Sequence, residues 1–243
     1  MKAYGATDIG KRRRINQDYL FCSDEPVGCF PNLYIVADGM GGHKAGDKAS
    51  AYAVTRFTEL ARQEEKGVPF LVMERLLKQV NEDVYRMACQ EEEYAGMGTT
   101  FVAATVIDGR AYIMNVGDSR LYYYDGRLHQ VTLDHSLVEE LVRAGELRPT
   151  ESRNHPQKNI ITKAVGVAEE ITPDFFKVDM VRDSMLLLCS DGLSNMVDDD
   201  RLETLLSQEL TEEELVESCI NEALFYGGVD NIVVVIARYK DGR

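Results

Sequence analysis

Tyr34-Ile35-Val36-Ala37-Asp38-Gly39-Met40-Gly41-Gly42-His43 is the stretch around which the rest of the chain is read. A short apolar run, flanked by turn formers, stops at an aspartate, and glycines follow before a segment with helical spacing begins near Ala45. The run fits a buried strand. Its tip presents a carboxylate on a fixed backbone, and Gly39 leaves the main chain open to close approach by a cation or a phosphate. Oxygen donors of this kind suit a hard divalent metal. Taken alone, Asp-Gly serves equally as the cap of a strand-to-helix turn. Other carboxylates at other strand ends decide between the two readings.

Outward from this stretch, the chain alternates blocks of strand and helix. Residues 2–9 and Tyr19 to Cys22 read as strands, separated by the basic loop Lys11-Arg12-Arg13-Arg14. Residues 45–64 and 69–94 carry apolar residues at helical spacing, and Gly67-Val68-Pro69 divides them. Thr99 to Ile107, Ala111 to Val116 and Leu121 to Tyr124 are strand-like, with Asp108-Gly109 and Asp125-Gly126 as tight turns. Closely spaced hairpins argue for antiparallel sheet and against a doubly wound parallel fold. Ser136 to Ala144 reads as a short helix capped by Ser136, with Glu139 as its box partner. Residues 145–158 show no periodicity, and a loop of that length is functional or mobile. Residues 160–166 and 172–180 return to strand composition, Met185 to Cys189 is a compact apolar strand, two helices follow near 198–207 and 211–225, and Asn231 to Ala237 is the last strand. Without repeat, low-complexity tract or linker, residues 1–243 are expected to form one domain.

Three of these apolar strands meet an aspartate at one end: Asp38-Gly39, Asp191-Gly192 and Asp230 before Asn231. Asp118 sits in a turn between strands, and Asp18 precedes another strand. Each is an ordinary turn residue when taken singly; the repetition is the signal. If the sheet gathers these ends, the carboxylates repel unless cations neutralise them. Such donors favour magnesium or manganese, and two ions roughly 3.5–4 Å apart can lower the pKa of a water and clamp an in-line attack on phosphorus.

Bulk composition narrows the partners. Acidic residues outnumber basic ones 41 to 27, a net charge of −14, which disfavours nucleic acid and anionic membranes. Five cysteines with no Cys-x-x-Cys pair read as reduced thiols. There is no signal-like apolar start and no apolar run of spanning length. The expectation is a soluble, cytoplasmic monomer without membrane insertion.

The ordered set Asp8-x-Gly10, Arg13-x-x-Asn16-Gln17-Asp18, Val36 to His43, Gly98-Thr99-Thr100, Asn115 to Arg120, Asp134-His135-Ser136, Ile161 to Gly166, Cys189 to Leu193 and Asp230-Asn231 resembles the metal-dependent type 2C protein phosphatases, the bacterial branch above all. The resemblance spans Asp8 to Asn231 and implies an α+β fold: two antiparallel sheets in a β-sandwich flanked by helices, four layers αββα. It implies hydrolysis of phosphoserine and phosphothreonine on proteins at a two-metal Mn2+ or Mg2+ centre. In such a centre Asp38 would bridge the metals, the Gly39 carbonyl would serve one, Asp191 and Asp230 the other, and Asp18 would act through water. Asp118 with Asp191 would take a third ion, and Arg13 would grip the substrate phosphate, a role its planar fork suits. Residues about 143–158 would be the family's flap. Stand-alone bacterial members commonly oppose a Ser/Thr kinase, which would count among the phosphorylated protein partners. Two departures stand out. Met40 holds the place where animal members carry a histidine, so the leaving oxygen would take its proton from elsewhere, and His43 reads as structural. Gln17 replaces an acidic residue, removing one carboxylate. The competing readings are a partner-binding pseudophosphatase, against which all five aspartates count, and a two-metal nuclease, against which the acidic surface counts.

Overall fold

The computed structural model describes residues 1–41, 45–90, 92–152 and 155–240, residues 149 and 150 by their backbone alone. The described residues hold eleven strands: β1 Lys2–Asp8, β2 Asp18–Ser23, β3 Leu33–Met40, β4 Gly98–Thr99, β5 Phe101–Ile107, β6 Arg110–Val116, β7 Arg120–Tyr124, β8 Leu128–Gln130, β9 Asp174–Asp179, β10 Met185–Cys189 and β11 Ile232–Arg238. The helices are α1 Gly46–Ala61, α2 Pro69–Gln90, α3 Leu137–Arg143, α4 Pro149–Ser152, α5 Asp191–Ser194, α6 Asp199–Leu206 and α7 Glu212–Phe225. One sheet runs β1-β11-β10-β7-β8 and the other β2-β3-β5-β6-β9, with β4 paired to β3. Every strand pairing is antiparallel.

The central strands are apolar without a break because both their faces are covered. Along β3, Leu33, Ile35 and Ala37 pack under α1 and α2, while Tyr34 and Val36 face the opposite sheet. Along β11, Ile232, Val234 and Ile236 pack under α6 and α7, while Val233, Val235 and Ala237 face inward. The result is helices, sheet, sheet, helices: the expected α+β αββα sandwich.

Some local expectations differ. Residues 160–166 are not a strand: Ile161 bridges Ser136 and Val165 bridges Thr99, single contacts to two different partners. The left-handed Gly166, seated against Val84, turns the chain away before a ladder can extend. The unperiodic 145–158 segment holds the single turn α4. Ser136 does accept the Glu139 N–H, but the reciprocal capping box is made by Thr211 and Glu214, at the start of α7. The helix expected over 69–94 stops at Gln90, before a separate 3-10 turn at Glu92–Tyr94. The short helix α5 has no counterpart in the sequence reading. Among the described residues, no helix is long and apolar enough to cross a membrane.

Candidate active site

Strand register gathers the aspartates. Asp18, the first residue of β2, lies opposite Asp38 near the end of β3. Asp191 follows β10 and Asp230 precedes β11, and these antiparallel strands pair Cys189 with Val234, so both carboxylates leave the sheet at the same end. β7 pairs Arg120 with Cys189, which brings the β6–β7 turn and its Asp118 alongside. Five residues spread from 18 to 230 therefore share one end of the sandwich.

Each carboxylate is held by its own supports. The Asp38 N–H donates to Thr100 Oγ1 at 2.8 Å, and its carbonyl accepts from the Thr100 N–H at 2.9 Å and from Thr99 Oγ1 at 3.0 Å. Ser190 Oγ donates to Asp18 Oδ2 at 2.7 Å and accepts from the Val233 N–H at 3.1 Å. Asn195, one helical turn beyond Asp191, donates to Asp191 Oδ2 at 2.8 Å, and Lys158 Nζ reaches Asn195 Oδ1 at 3.2 Å. Arg13 Nη2 meets Asp230 Oδ2 at 2.7 Å. Asn231 ties the Arg13 loop in place: its Nδ2 donates to the carbonyls of Ile9 and Ile15, at 2.9 and 3.1 Å, and its Oδ1 accepts the Gln17 N–H at 2.9 Å.

The glycines also admit neighbouring backbone. A Cβ on Gly39 would lie 1.9 Å from the Gly46 carbonyl oxygen, so Gly39 admits the start of α1. Gly192 likewise leaves room for the Asn231 carbonyl, 1.8 Å from a Cβ there. Asp-Gly at these strand ends is thus a packing requirement between backbones. Met40 ends β3; Gly42 and His43 lie outside the described residues, as do Arg153 and Asn154 of the expected flap segment.

Electrostatics mark the cluster as one system. Burial pushes the Asp18 carboxyl up to about 8, with Asp191 and Asp230 adding repulsion. Burial, then Asp191 and Asp134, pushes Asp118 up to about 8. Burial and Asp230 push Asp191 up to about 6. Asp38 stands well above its ordinary value through burial and the repulsion of Asp18, Asp191, Asp118 and Asp230. The Arg13 guanidinium is raised first by its hydrogen bond to Asp230 and feels Asp38 and Asp191 as well. Asp18 Oδ1 is buried with no hydrogen-bond partner. A buried carboxylate oxygen without a donor is costly, and a cation is the usual remedy.

Hard oxygen donors, mutual repulsion and an orphaned oxygen fit divalent Mn2+ or Mg2+. Among the described residues, however, no three acidic, histidine or cysteine side chains already converge on a single point as a ligand set. Ser190, Asn195 and Arg13 instead hold individual oxygens of Asp18, Asp191 and Asp230. A cavity of about 520 Å3 opens on the Asp118–Asp191 side, walled also by Arg120, Asp134, Lys158 and Asn195. Asp38, Asp18 and Asp230 lie outside its walls. His135, adjacent in sequence to Asp134, is buried, and its Nδ1 accepts the Gly117 N–H at 3.1 Å, so it braces the Asp118 turn.

Ser190 and Asn231 fall inside the ordered set of motifs without a role of their own, and Asn195 falls outside it. Asn195 carried a usable signal, four residues after Asp191 and so on the same helical face. Ser190 carried none, since a serine before Asp-Gly does not announce that it bonds a residue 172 positions away. Replacing Ser190 by alanine strips Asp18 and the Val233 N–H of a partner in the buried sheet. The expected cost is about 2–3 kcal/mol of stability in a denaturant melt; a loss under about 0.5 kcal/mol would show that this hydroxyl is not supporting the site.

The protein phosphatase 2C family model matches residues 10–218. The chain is 39% identical over 246 residues to the serine/threonine phosphatase stp of Listeria monocytogenes, covering 97% of this chain and 95% of that protein. It is 39% identical to the protein phosphatase PhpP of Streptococcus pneumoniae, covering 97% and 96%. Among solved structures, the S. agalactiae serine/threonine phosphatase superimposes with a TM-score of 0.91 at 36% identity, covering 99% of both chains. The Staphylococcus aureus serine/threonine phosphatase Stp1 gives 0.91 at 35%, covering 98% of this chain and 95% of that one.

Proposed function

Because the chain belongs to the protein phosphatase 2C family, we propose that it hydrolyses phosphoserine and phosphothreonine on proteins, at the end of the sandwich where Asp18, Asp38, Asp118, Asp191 and Asp230 meet. The observation that carries this reading is the delivery of five carboxylates to one end of the sandwich by strand register, with Arg13 against Asp230. Asp38 would be shared between two Mn2+ or Mg2+ ions, with the Gly39 carbonyl on one and Asp191, Asp230 and, through water, Asp18 on the other; Asp118 and Asp191 would take a third. Bound there, such ions lower the pKa of a water and offset the charge on phosphorus.

The chain's own residues then have distinct tasks. Arg13 presents a planar, always-charged fork to the phosphate from an exposed loop. Asp230, its present partner, holds the guanidinium in place until phosphate arrives. Asp38 sits on a peptide fixed from both sides by Thr99 and Thr100, so its carboxylate is oriented before substrate binds. Met40 offers no proton, so the leaving serine oxygen draws its proton from solvent on the open side of the site. Segment 143–158, which carries Lys158 into the cavity wall, is the proposed flap. Residues 1–243 form one catalytic domain on this reading. Phosphoserine on proteins is made by Ser/Thr kinases, so such a kinase belongs both to the opposing reaction and among the candidate substrates.

The test is phosphate release from a phosphoserine peptide and from p-nitrophenyl phosphate, with manganese and with chelator, in wild type and Arg13→Ala. Wild type should turn over both only with metal. Arg13→Ala should raise KM for the phosphopeptide about 10–100-fold, the loss of a bidentate charged contact. Its melting temperature should stay within about 1–2 °C of wild type, because the Arg13–Asp230 pair is solvent-exposed. No metal-dependent turnover in wild type would remove the proposal.

A further inference from the structure

Around Arg13 the surface departs from the character of the rest of the molecule. The chain carries a net charge of −14, yet Lys11, Arg12, Arg13 and Arg14 are consecutive and exposed. Most arginines here sit against a carboxylate, as Arg56, Arg75, Arg110, Arg120, Arg201 and Arg238 do. Among the described residues, Lys11, Arg12 and Arg14 form no side-chain ion pair. Three uncompensated cations thus flank the arginine assigned to the substrate phosphate.

The same loop touches a second unusual segment. The Lys11 N–H donates to the Gly228 carbonyl at 2.7 Å, and a Cβ on Gly10 would strike the carbonyl oxygens of Asp230 and Gly228, at 2.1 and 2.9 Å. The turn so gripped, at the end of α7, exposes Phe225 at 78%, Tyr226 at 54% and Val229 at 49%, with the two rings stacked edge to face at 5.4 Å. On the facing loop Ile9 and Ile15 are exposed too. Apolar side chains left in water together, beside a charged site, mark an interaction surface.

We propose that this face docks the substrate: phosphoprotein segments with acidic side chains next to the phosphoresidue and an aromatic or branched apolar side chain farther along. The inference rests on the phosphatase reading and adds a sequence preference to it. An extended substrate advances about 3.3 Å per residue, so positions one to four from the phosphoserine fall within about 13 Å of its phosphate. That reach covers the neighbours of Arg13. An anionic bilayer would meet the same basic and apolar residues, but it would also meet the acidic remainder of the surface, whereas a peptide contacts this face alone.

The experiment compares kcat/KM for three phosphoserine peptides of one core, flanked by acidic, neutral or basic residues. Each is made with and without a phenylalanine three or four positions away, and p-nitrophenyl phosphate serves as control. Three proteins are used: wild type, Lys11→Glu/Arg12→Glu/Arg14→Glu, and Phe225→Ala/Tyr226→Ala. Wild type should favour the acidic peptide over the basic one by about tenfold, the sum of three exposed ion pairs, and charge reversal should invert the order. Phe225→Ala/Tyr226→Ala should erase the benefit of the phenylalanine through KM. Turnover of p-nitrophenyl phosphate should stay within about twofold in both variants, since a small substrate spans none of the docking face. Equal kcat/KM for the peptides in wild type overturns the docking inference and leaves the phosphatase reading standing. Binding to anionic vesicles that charge reversal abolishes, with no peptide preference, assigns the face to membrane and likewise overturns it. No turnover of any substrate with manganese overturns both.

Discussion

Asp38→Asn is expected to lower manganese-dependent kcat/KM about a thousandfold or more, a loss of at least ~4 kcal/mol of transition-state stabilisation. The substitution is nearly isosteric, and the backbone of residue 38 is held by Thr99 and Thr100 whatever its side chain. The fold should therefore survive and the loss report on charge alone. Of the five aspartates this one feels each of the other four. In the proposed centre it is shared by both ions, so its removal cannot be offset by a neighbour. Asp230→Asn should cost less, because Asp230 lies at the open rim with Arg13 already against it. Retention of turnover within about tenfold in Asp38→Asn would place the chemistry elsewhere; at ~1.4 kcal/mol that loss is too small for a shared metal ligand.

Why Asp38 was legible from sequence, and Ser190 was not, is a matter of range. An apolar run that ends in Asp-Gly is a local pattern, and its repetition at Asp191 and before Asn231 can be counted. Continuous runs such as Ile232 to Ala237 announce burial on both faces, and that burial is what stacks two sheets between helices. What joins the aspartates is register, and register is settled by partners far along the chain. The bonds from Ser190 to Asp18 and from Asn231 to Ile9 and Ile15 belong to that class. Residues 160–166 misled for the opposite reason. Their composition suits a strand, but their backbone groups are divided between residues near Ser136 and Thr99, so no single neighbour supplies a ladder. Gly39 adds a requirement that the local pattern does not carry. The missing Cβ makes room for the carbonyl of Gly46, a contact between strand and helix that depends on a residue seven positions away.

Metal should raise the melting temperature by about 5–10 °C, and the rise should grow with pH. Saturation at a hundred times Kd contributes about 2.7 kcal/mol per site. For a chain of this length each kcal/mol moves the midpoint by about 2–4 °C. The pH dependence follows from the direction of the carboxyl shifts. Asp18 near 8 and Asp191 near 6 in the folded chain lie above the ordinary carboxylate value of 3.8. Between those limits the folded state holds protons that the unfolded state has released. The stability these two carboxyls contribute without metal is thus fully present below about pH 4 and is lost as pH climbs through 6 to 8. His135, lowered by burial, acts in the opposite sense near its ordinary 6.5, so the difference between manganese and chelator scans is the quantity to read. Asp38→Asn removes the cost of burying an ionisable carboxyl among four others. In chelator it should melt about 2–4 °C above wild type, for roughly 1 kcal/mol of that cost, and gain little from manganese. Calorimetry at pH 5.5, 6.5 and 7.5 decides the matter. Identical midpoints with metal and with chelator at all three would mean that these carboxylates repel one another for some purpose other than holding a cation.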